Sequence, residues 1–318
     1  MKDKDQALRR GPKEKRKTIS YAKWGYIFLI PFFVVYIIFT LYPQLLTFGF
    51  SFLTYYRKGR TWVGPEFCGL QNYIDIFTPA EGGTILVFKY LWNTIVLWLI
   101  CAVPQFVVSL LLAVIFTSSR LKIKGQGFFK TVFYMPNVIM ASAFGLLFMQ
   151  LFSNVGPINS ILVNSGMLDQ PYNFLGKTVS MRTLIGVINY LMWFGNTTLM
   201  LMAGIQSIDD SIFESARIDG SGAFHTFRTI TMPLLKPIFL YVLITSMIGG
   251  IQMYDVPHIM TGGNGRPDET SFTLVMYLGR VIGANNYGRA GAISVILFIF
   301  TAILSFFIFR SITKDNTD

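Results

Sequence analysis

The side chains that could perform acid–base, nucleophilic or metal chemistry are few in this 318-residue chain and poorly spaced for it. The two histidines, His225 and His258, lack the spacing and neighbours of a metal site. Cys68 and Cys101 set up no disulfide framework, since one falls in a loop and the other within an apolar run. Asp209 and Asp210 stand just before a helix-ready stretch, where carboxylates favour a helix N-terminus more than they serve proton transfer. Gly176-Lys177-Thr178 imitates the end of a phosphate-binding loop, but the position that needs the earlier glycine is Pro171. No Ser-His-Asp, Cys-His or paired-carboxylate arrangement can be built, so neither an enzyme nor a metal protein is expected.

Two other groups have spacing with a physical meaning. Asn189, Trp193 and Asn196 recur at i, i+4 and i+7, on one face of a helix. Gln252 and Tyr254 end another apolar run. Amides, hydroxyls and aromatic rings without fixed charge suit a neutral, hydroxyl-rich solute; they equally suit hydrogen bonding between helices. The second group runs from Glu214 to Pro233. Ser211 and Glu214 form a Ser-x-x-Glu capping box, so a helix should start at about Ile212. Gly220 can end it in the left-handed conformation, before a second short helix over 223–230 that leads to Pro233. Phe213, Ala216, Ile218, Phe224 and Phe227 would lie on the exposed side. Such a pair could dock into a partner's groove or rest on lipid.

The elements around these groups are membrane-length. Hydrophobic residues make up 53% of the chain and charged ones 14%, and the apolar residues come in blocks, as in polytopic membrane proteins. Six blocks of about 20 residues or more can cross a hydrocarbon core of roughly 30 Å: 25–53, 90–116, 128–152, 183–205, 236–256 and 290–309. The first is too long for a cleaved signal and is read as a retained span. Residues 1–24 form a basic tail, 25–310 one membrane domain and 311–318 a short C-terminal tail. Lys and Arg concentrate in the first tail and in the loop holding Arg120, Lys122, Lys124 and Lys130. With six spans these fall on the same side as the Glu214 loop, about 206–235, and as the C-terminus, so that side is expected to be cytoplasmic. The net charge of +11 is then a topology signal and an attraction to lipid headgroups, with no nucleic-acid partner implied. The longer loops, 54–89, 153–182 and 257–289, face outside, with turns and short surface helices that either meet an external partner or seal the helix ends. An ion-coupled carrier would need ionisable groups within the membrane; Lys130, Lys236 and Asp255 sit only at span ends.

Glu214-Ser215-Ala216, three residues, Gly220, nine residues, Ile230, one residue and Met232-Pro233 resemble the "EAA" loop of permease subunits of bacterial ATP-binding-cassette (ABC) importers. Ser215 stands where the family has Ala, and Met232 where it has Leu. Gln252 to Gly263, ending Met260-Thr261-Gly262-Gly263, and the first-span pieces Phe28-Leu29-Ile30-Pro31 and Tyr42-Pro43 are similar to carbohydrate-uptake permeases. The resemblance implies an all-α, type I importer permease with six transmembrane helices in a bacterial plasma membrane. It implies that Glu214, Ser215, Ala216 and Gly220 couple to a cytoplasmic ATPase, with Ile230 and Pro233 anchoring the loop. The implied partners are a second homologous permease, two ATPase subunits and an extracytoplasmic sugar-binding protein. ATP and Mg would bind the ATPase, leaving this chain without a cofactor. The implied cargo is a carbohydrate, an oligosaccharide by preference; Asn189, Trp193, Asn196, Gln252 and Tyr254 would line its path. Another solute, such as a glycerol phosphodiester, is the alternative.

Overall fold

Prolines set the form of the first apolar run. Pro43 has no N–H, and its ring presses on the carbonyl four residues back. The chain passes it by widening: α1 (Ala22–Tyr36) continues through a π-helical turn, Ile37–Leu41, into α2 (Tyr42–Phe50), with Tyr42 N–H donating to the Ile37 carbonyl. The computed structural model describes residues 22–80, 83–118, 121 and 123–313. Nearly all of the basic tail, with Arg120, Lys122 and the last five residues, lies outside them. The described chain divides into a unit ending at Phe48 and a second beginning at Gly49.

In the second unit, a two-stranded antiparallel hairpin, β1 (Leu53–Lys58) and β2 (Thr61–Phe67), occupies the start of a region expected to hold turns and short helices. Its β-branched and aromatic residues, among them Tyr55, Tyr56, Trp62 and Val63, suit strands. The Asn72 amide on α3 (Gln71–Phe77) donates to the carbonyls of Ser51 and Leu53 and fixes the hairpin's base. Then comes α4 (Leu86–Thr117), a helix of 32 residues and so about 48 Å long.

The third expected span, 128–152, is not one straight helix. It is α5 (Gln126–Val138) and α6 (Ala141–Leu151), bent by 90°. Ile139 and Met140 take extended ψ values of 135°, three residues after Pro136. After α7 (Pro157–Asn164), α8 (Thr178–Gln206) runs parallel to α4 and forms the most extensive helix pairing with it. Two loop helices follow, α9 (Asp210–Ile218) and α10 (Ala223–Thr226). A second π turn, Phe227–Thr231, joins α10 directly to α11 (Met232–Ile251), Met232 N–H reaching the Phe227 carbonyl just before Pro233. The second short helix, expected over 223–230 and leading to Pro233, is continuous with α11 through this π turn. The last elements are α12 (Asp255–Met260), α13 (Leu274–Gly283) and α14 (Tyr287–Thr313); α12 and α13 are the kind of short helices expected over 257–289. Among the described residues, five helices are long and apolar enough to cross a membrane, or six if the bent pair counts as one.

Three apolar clusters stack along α4. Val87 and Tyr90 join Phe272, Leu274 and Ile293; Leu97 joins Ile185, Ile188, Met253 and Val256; Ala113 and Phe116 join Leu201, Ile205 and Leu235. The residue numbers show α11 running antiparallel to α4 and α8.

Candidate functional site

Between the second and third clusters, α4, α8 and α11 leave a pocket of about 230 Å³. Cys101 and Gln105 of α4, Asn189, Trp193, Asn196 and Thr197 of α8, and Tyr241, Thr245 and Ser246 of α11 line it. None of the lining residues is Asp, Glu, Lys, Arg or His. Much of this polarity is already satisfied. Gln105 donates to the Thr197 hydroxyl at 2.7 Å, Asn189 donates to the Ile185 carbonyl and faces the Met253 sulfur, and Thr245 donates back to the Tyr241 carbonyl. Trp193 stays half exposed. The outcome is an uncharged, mainly apolar pocket at mid-helix, carrying a few amides and hydroxyls, with an apolar cluster on either side.

Three of the five expected pathway residues come together here: Asn189, Trp193 and Asn196. Gln252 and Tyr254 do not. They stand at the end of an apolar run, where α11 has already stopped: Gln252 is its C-cap, and Tyr254, at φ −131° and ψ −56°, stacks on His258 at 4.8 Å. Met253, between them, is the residue that reaches the pocket. Cys101 and Gln105, and Tyr241 and Thr245, are spaced i, i+4 on their own helices. That was the available signal for the α4 and α11 walls.

At the Glu214 end, Asp209 caps α9 in place of the expected Ser211. Its carboxylate accepts from the Ser211 N–H at 2.9 Å, and hydrogen bonding to Ser211 holds that carboxyl below the usual aspartate range. Gly220 ends the helix as expected, with φ +75°. Ser221 N–H donates to the Ala216 carbonyl and Gly220 N–H to that of Arg217, the paired bonds of a Schellman turn. Of the residues expected on the exposed side, Ile218 is 87% and Phe224 75% exposed, whereas Ala216 is 7% exposed and Phe213 packs against the third cluster. Glu214 and Ser215 are exposed, and Ser215, Ala216 and Ile230 share a shallow groove between the two arms of the loop. Phe213 thus ties the loop to the same cluster that floors the pocket.

At the opposite end, Glu269 accepts from Tyr90 OH at 2.8 Å, Lys89 Nζ at 3.2 Å and Arg280 Nη1 at 3.1 Å. Burial opposes its ionisation, yet the hydrogen bonds from Tyr90, Arg280 and Lys89 outweigh it and hold the carboxyl below the usual glutamate range. Arg182 donates to Asn93 Oδ1 at 2.8 Å and to the Thr270 carbonyl at 2.6 Å, while Asn93 donates to the Glu269 and Phe272 carbonyls. Residues of α4, α8 and α13 thereby fasten the loop 261–273.

Residues 87–314 match the family described as binding-protein-dependent transport system inner membrane component. The chain belongs to this family. It is a multi-pass component of a membrane transport system rather than an enzyme. The permease is 28% identical over 284 residues to the lactose transport system permease protein LacF of Rhizobium radiobacter, covering 89% of this chain and 91% of that one. It is 32% identical over 286 residues to the arabinooligosaccharides transport system permease protein AraP of Bacillus subtilis, covering 88% and 85%. In fold it matches a chain of a bacterial alginate ABC transporter solved in complex with an alginate pentasaccharide-bound periplasmic protein, with a TM-score of 0.71, 19% identity and coverage of 93% and 96%. The permease therefore has the all-helical ABC importer permease fold, apart from its hairpin.

Proposed function

We propose that this permease forms half of the pathway of an ATP-driven importer for a neutral saccharide, an oligosaccharide by preference. The uncharged pocket between two apolar clusters carries this reading: amides, hydroxyls and indole rings match sugar hydroxyls and sugar faces. Relatives that carry lactose and arabinooligosaccharides support the same class. A glycerol phosphodiester would call for a cation, and the pocket lining has none.

In this reading Glu214, Ser215 and Gly220 present α9 to a separate ATPase that holds ATP and Mg, with Ile218 and Phe224 as its apolar contacts. Ala216 acts from within, as the small residue that lets α9 lie close to its neighbours, and Ile230 and Pro233 anchor the loop's return. ATPase closure moves α9, and Phe213 passes the motion to the cluster beneath the pocket as a largely rigid-body shift. A second homologous permease completes the pathway, two ATPase copies drive it, and an extracytoplasmic sugar-binding protein delivers the cargo. Both termini are cytoplasmic and the Glu269 loop faces outside. Uptake of a labelled saccharide by the assembled transporter, with Asn189→Ala and Asn196→Ala at normal membrane levels, tests the pocket. We expect each to raise half-saturation by about tenfold, the worth of one buried hydrogen bond; unchanged uptake in both would remove the pocket from the pathway.

A further inference from the structure

The turn of the β1–β2 hairpin carries Arg57, Lys58 and Arg60 side by side. All three are exposed, and among the described residues none of them has an ion-pair partner. The hairpin's own carboxylate, Glu66, stands opposite Thr54, at the end away from the turn. The cluster falls in a loop expected to face outside, where membrane proteins usually carry few Lys and Arg. It calls for a local anion.

The hairpin is also fixed in height relative to a membrane-length helix. Arg57 N–H donates to the Asn285 carbonyl at 3.1 Å, Tyr56 bridges to Asn286, and the Leu53 carbonyl lies in the space that Gly288 leaves open. The next residue after Asn286 is Tyr287, where α14 begins, and that helix is long and apolar enough to cross a membrane. Trp62 stacks on the Tyr287 ring at 5.7 Å, Tyr55 lies against these two rings at 5.3 and 5.5 Å, and the Arg57 guanidinium stands 6.0 Å from the indole centre. Trp62 is 46% exposed. These contacts put a half-exposed indole and a guanidinium level with the first residue of a spanning helix, where Trp and Tyr rings settle among lipid headgroups. A neutral sugar would use the rings and leave the three cations without a role.

We propose that the hairpin turn binds the phosphate of an anionic phospholipid, with Arg57, Lys58 and Arg60 as its cations and Trp62 seated beside the upper acyl chains. Bound lipid holds the hairpin, and through Asn285 the start of α14, to the bilayer surface. This site is separate from the saccharide reading of the α4–α8–α11 pocket and does not rest on it.

For the test, the transporter assembled with its partner subunits is reconstituted in vesicles of phosphatidylcholine and phosphatidylglycerol at about four to one, with bromine on the acyl chains of one lipid or of the other. Trp62 fluorescence is taken as the difference between wild type and Trp62→Phe, which keeps a ring against Tyr287. Per mole of brominated lipid, phosphatidylglycerol should quench Trp62 about fivefold more strongly than phosphatidylcholine, the worth of a single basic side chain at an anionic surface. Raising the salt concentration should shrink this preference. Arg57→Gln, Lys58→Gln and Arg60→Gln together should abolish it and leave quenching by phosphatidylcholine in place. Lys58→Gln with Arg60→Gln, which spares the Arg57 Nε bond to the Gly59 carbonyl, should weaken it without disturbing the turn. Equal quenching by the two lipids in the wild type, or a preference that survives in the triple variant, would overturn the lipid site. Absence of quenching by either lipid would overturn it as well and turn the search to an acidic protein partner.

Discussion

The two ends of the α4–α8–α11 core are held by opposite kinds of interaction. At the Glu269 end, charged and amide groups tie the loop 261–273 to three helices, and Glu269 alone accepts from three donors. At the Glu214 end, α9 is joined through Phe213 and the small Ala216, while Ile218 and Phe224 point outward. Directional bonds fix one geometry, whereas apolar contact tolerates sliding. The first end is held in one geometry, and the second is joined by contacts that permit displacement, as the proposed coupling to an ATPase requires.

The comparison can be broken most sharply at Gly220. A Cβ there would meet nothing within 4 Å, so Gly220→Val acts only through the left-handed backbone, φ +75°. ATP-driven uptake should fall by about a hundredfold, the upper range of intersite coupling, while membrane level stays near wild type and the thermal midpoint falls by no more than the backbone strain of about 1–2 kcal/mol allows. Normal uptake would show that α9 transmits nothing. Removing Arg182 should have the reverse signature. Arg182→Ala leaves Asn93 Oδ1 and the Thr270 carbonyl without their donor, a stability loss of about 2 kcal/mol. The thermal midpoint in detergent should fall, and an unchanged midpoint would show that the network is ornamental.

The smallest effect is one of pH. The Glu269 carboxyl is held below its unfolded value of about 4.3. Its contribution to stability is whole above that value and is lost as pH falls through the lowered folded value. Glu269→Gln should therefore be less stable than wild type at neutral pH, and the gap should close on acidification below about pH 4. A gap that stays constant across this range would mean that the carboxylate charge contributes nothing.

The sequence made some of this legible and concealed the rest for identifiable reasons. Hydropathy located α4, α8, α11 and α14 to within a few residues, because burial in lipid is a property of composition. It joined α5 to α6 because composition is blind to the dihedrals of Ile139 and Met140, and Pro136 was the sole written hint. In the run Asp209-Asp210-Ser211, each residue can cap a helix, and only the backbone path chose Asp209. Gly220 was legible because a positive φ leaves few choices of residue. Asn189, Trp193 and Asn196 were legible because one helix carries all three. The α4 and α11 walls left only the i, i+4 pairs Cys101–Gln105 and Tyr241–Thr245 in the sequence, and pairs on separate helices become a pocket only after packing.

The π turn at Phe227–Thr231 gives the loop's length a meaning of its own. A π turn holds one residue more than an α turn, and each helical residue adds about 100° of rotation and 1.5 Å of rise. The count from Gly220 to Pro233 therefore sets the angular phase of α11, and with it which side chains of that helix, Tyr241 and Thr245 among them, face the pocket. The loop acts as the index mark on a dial for α11.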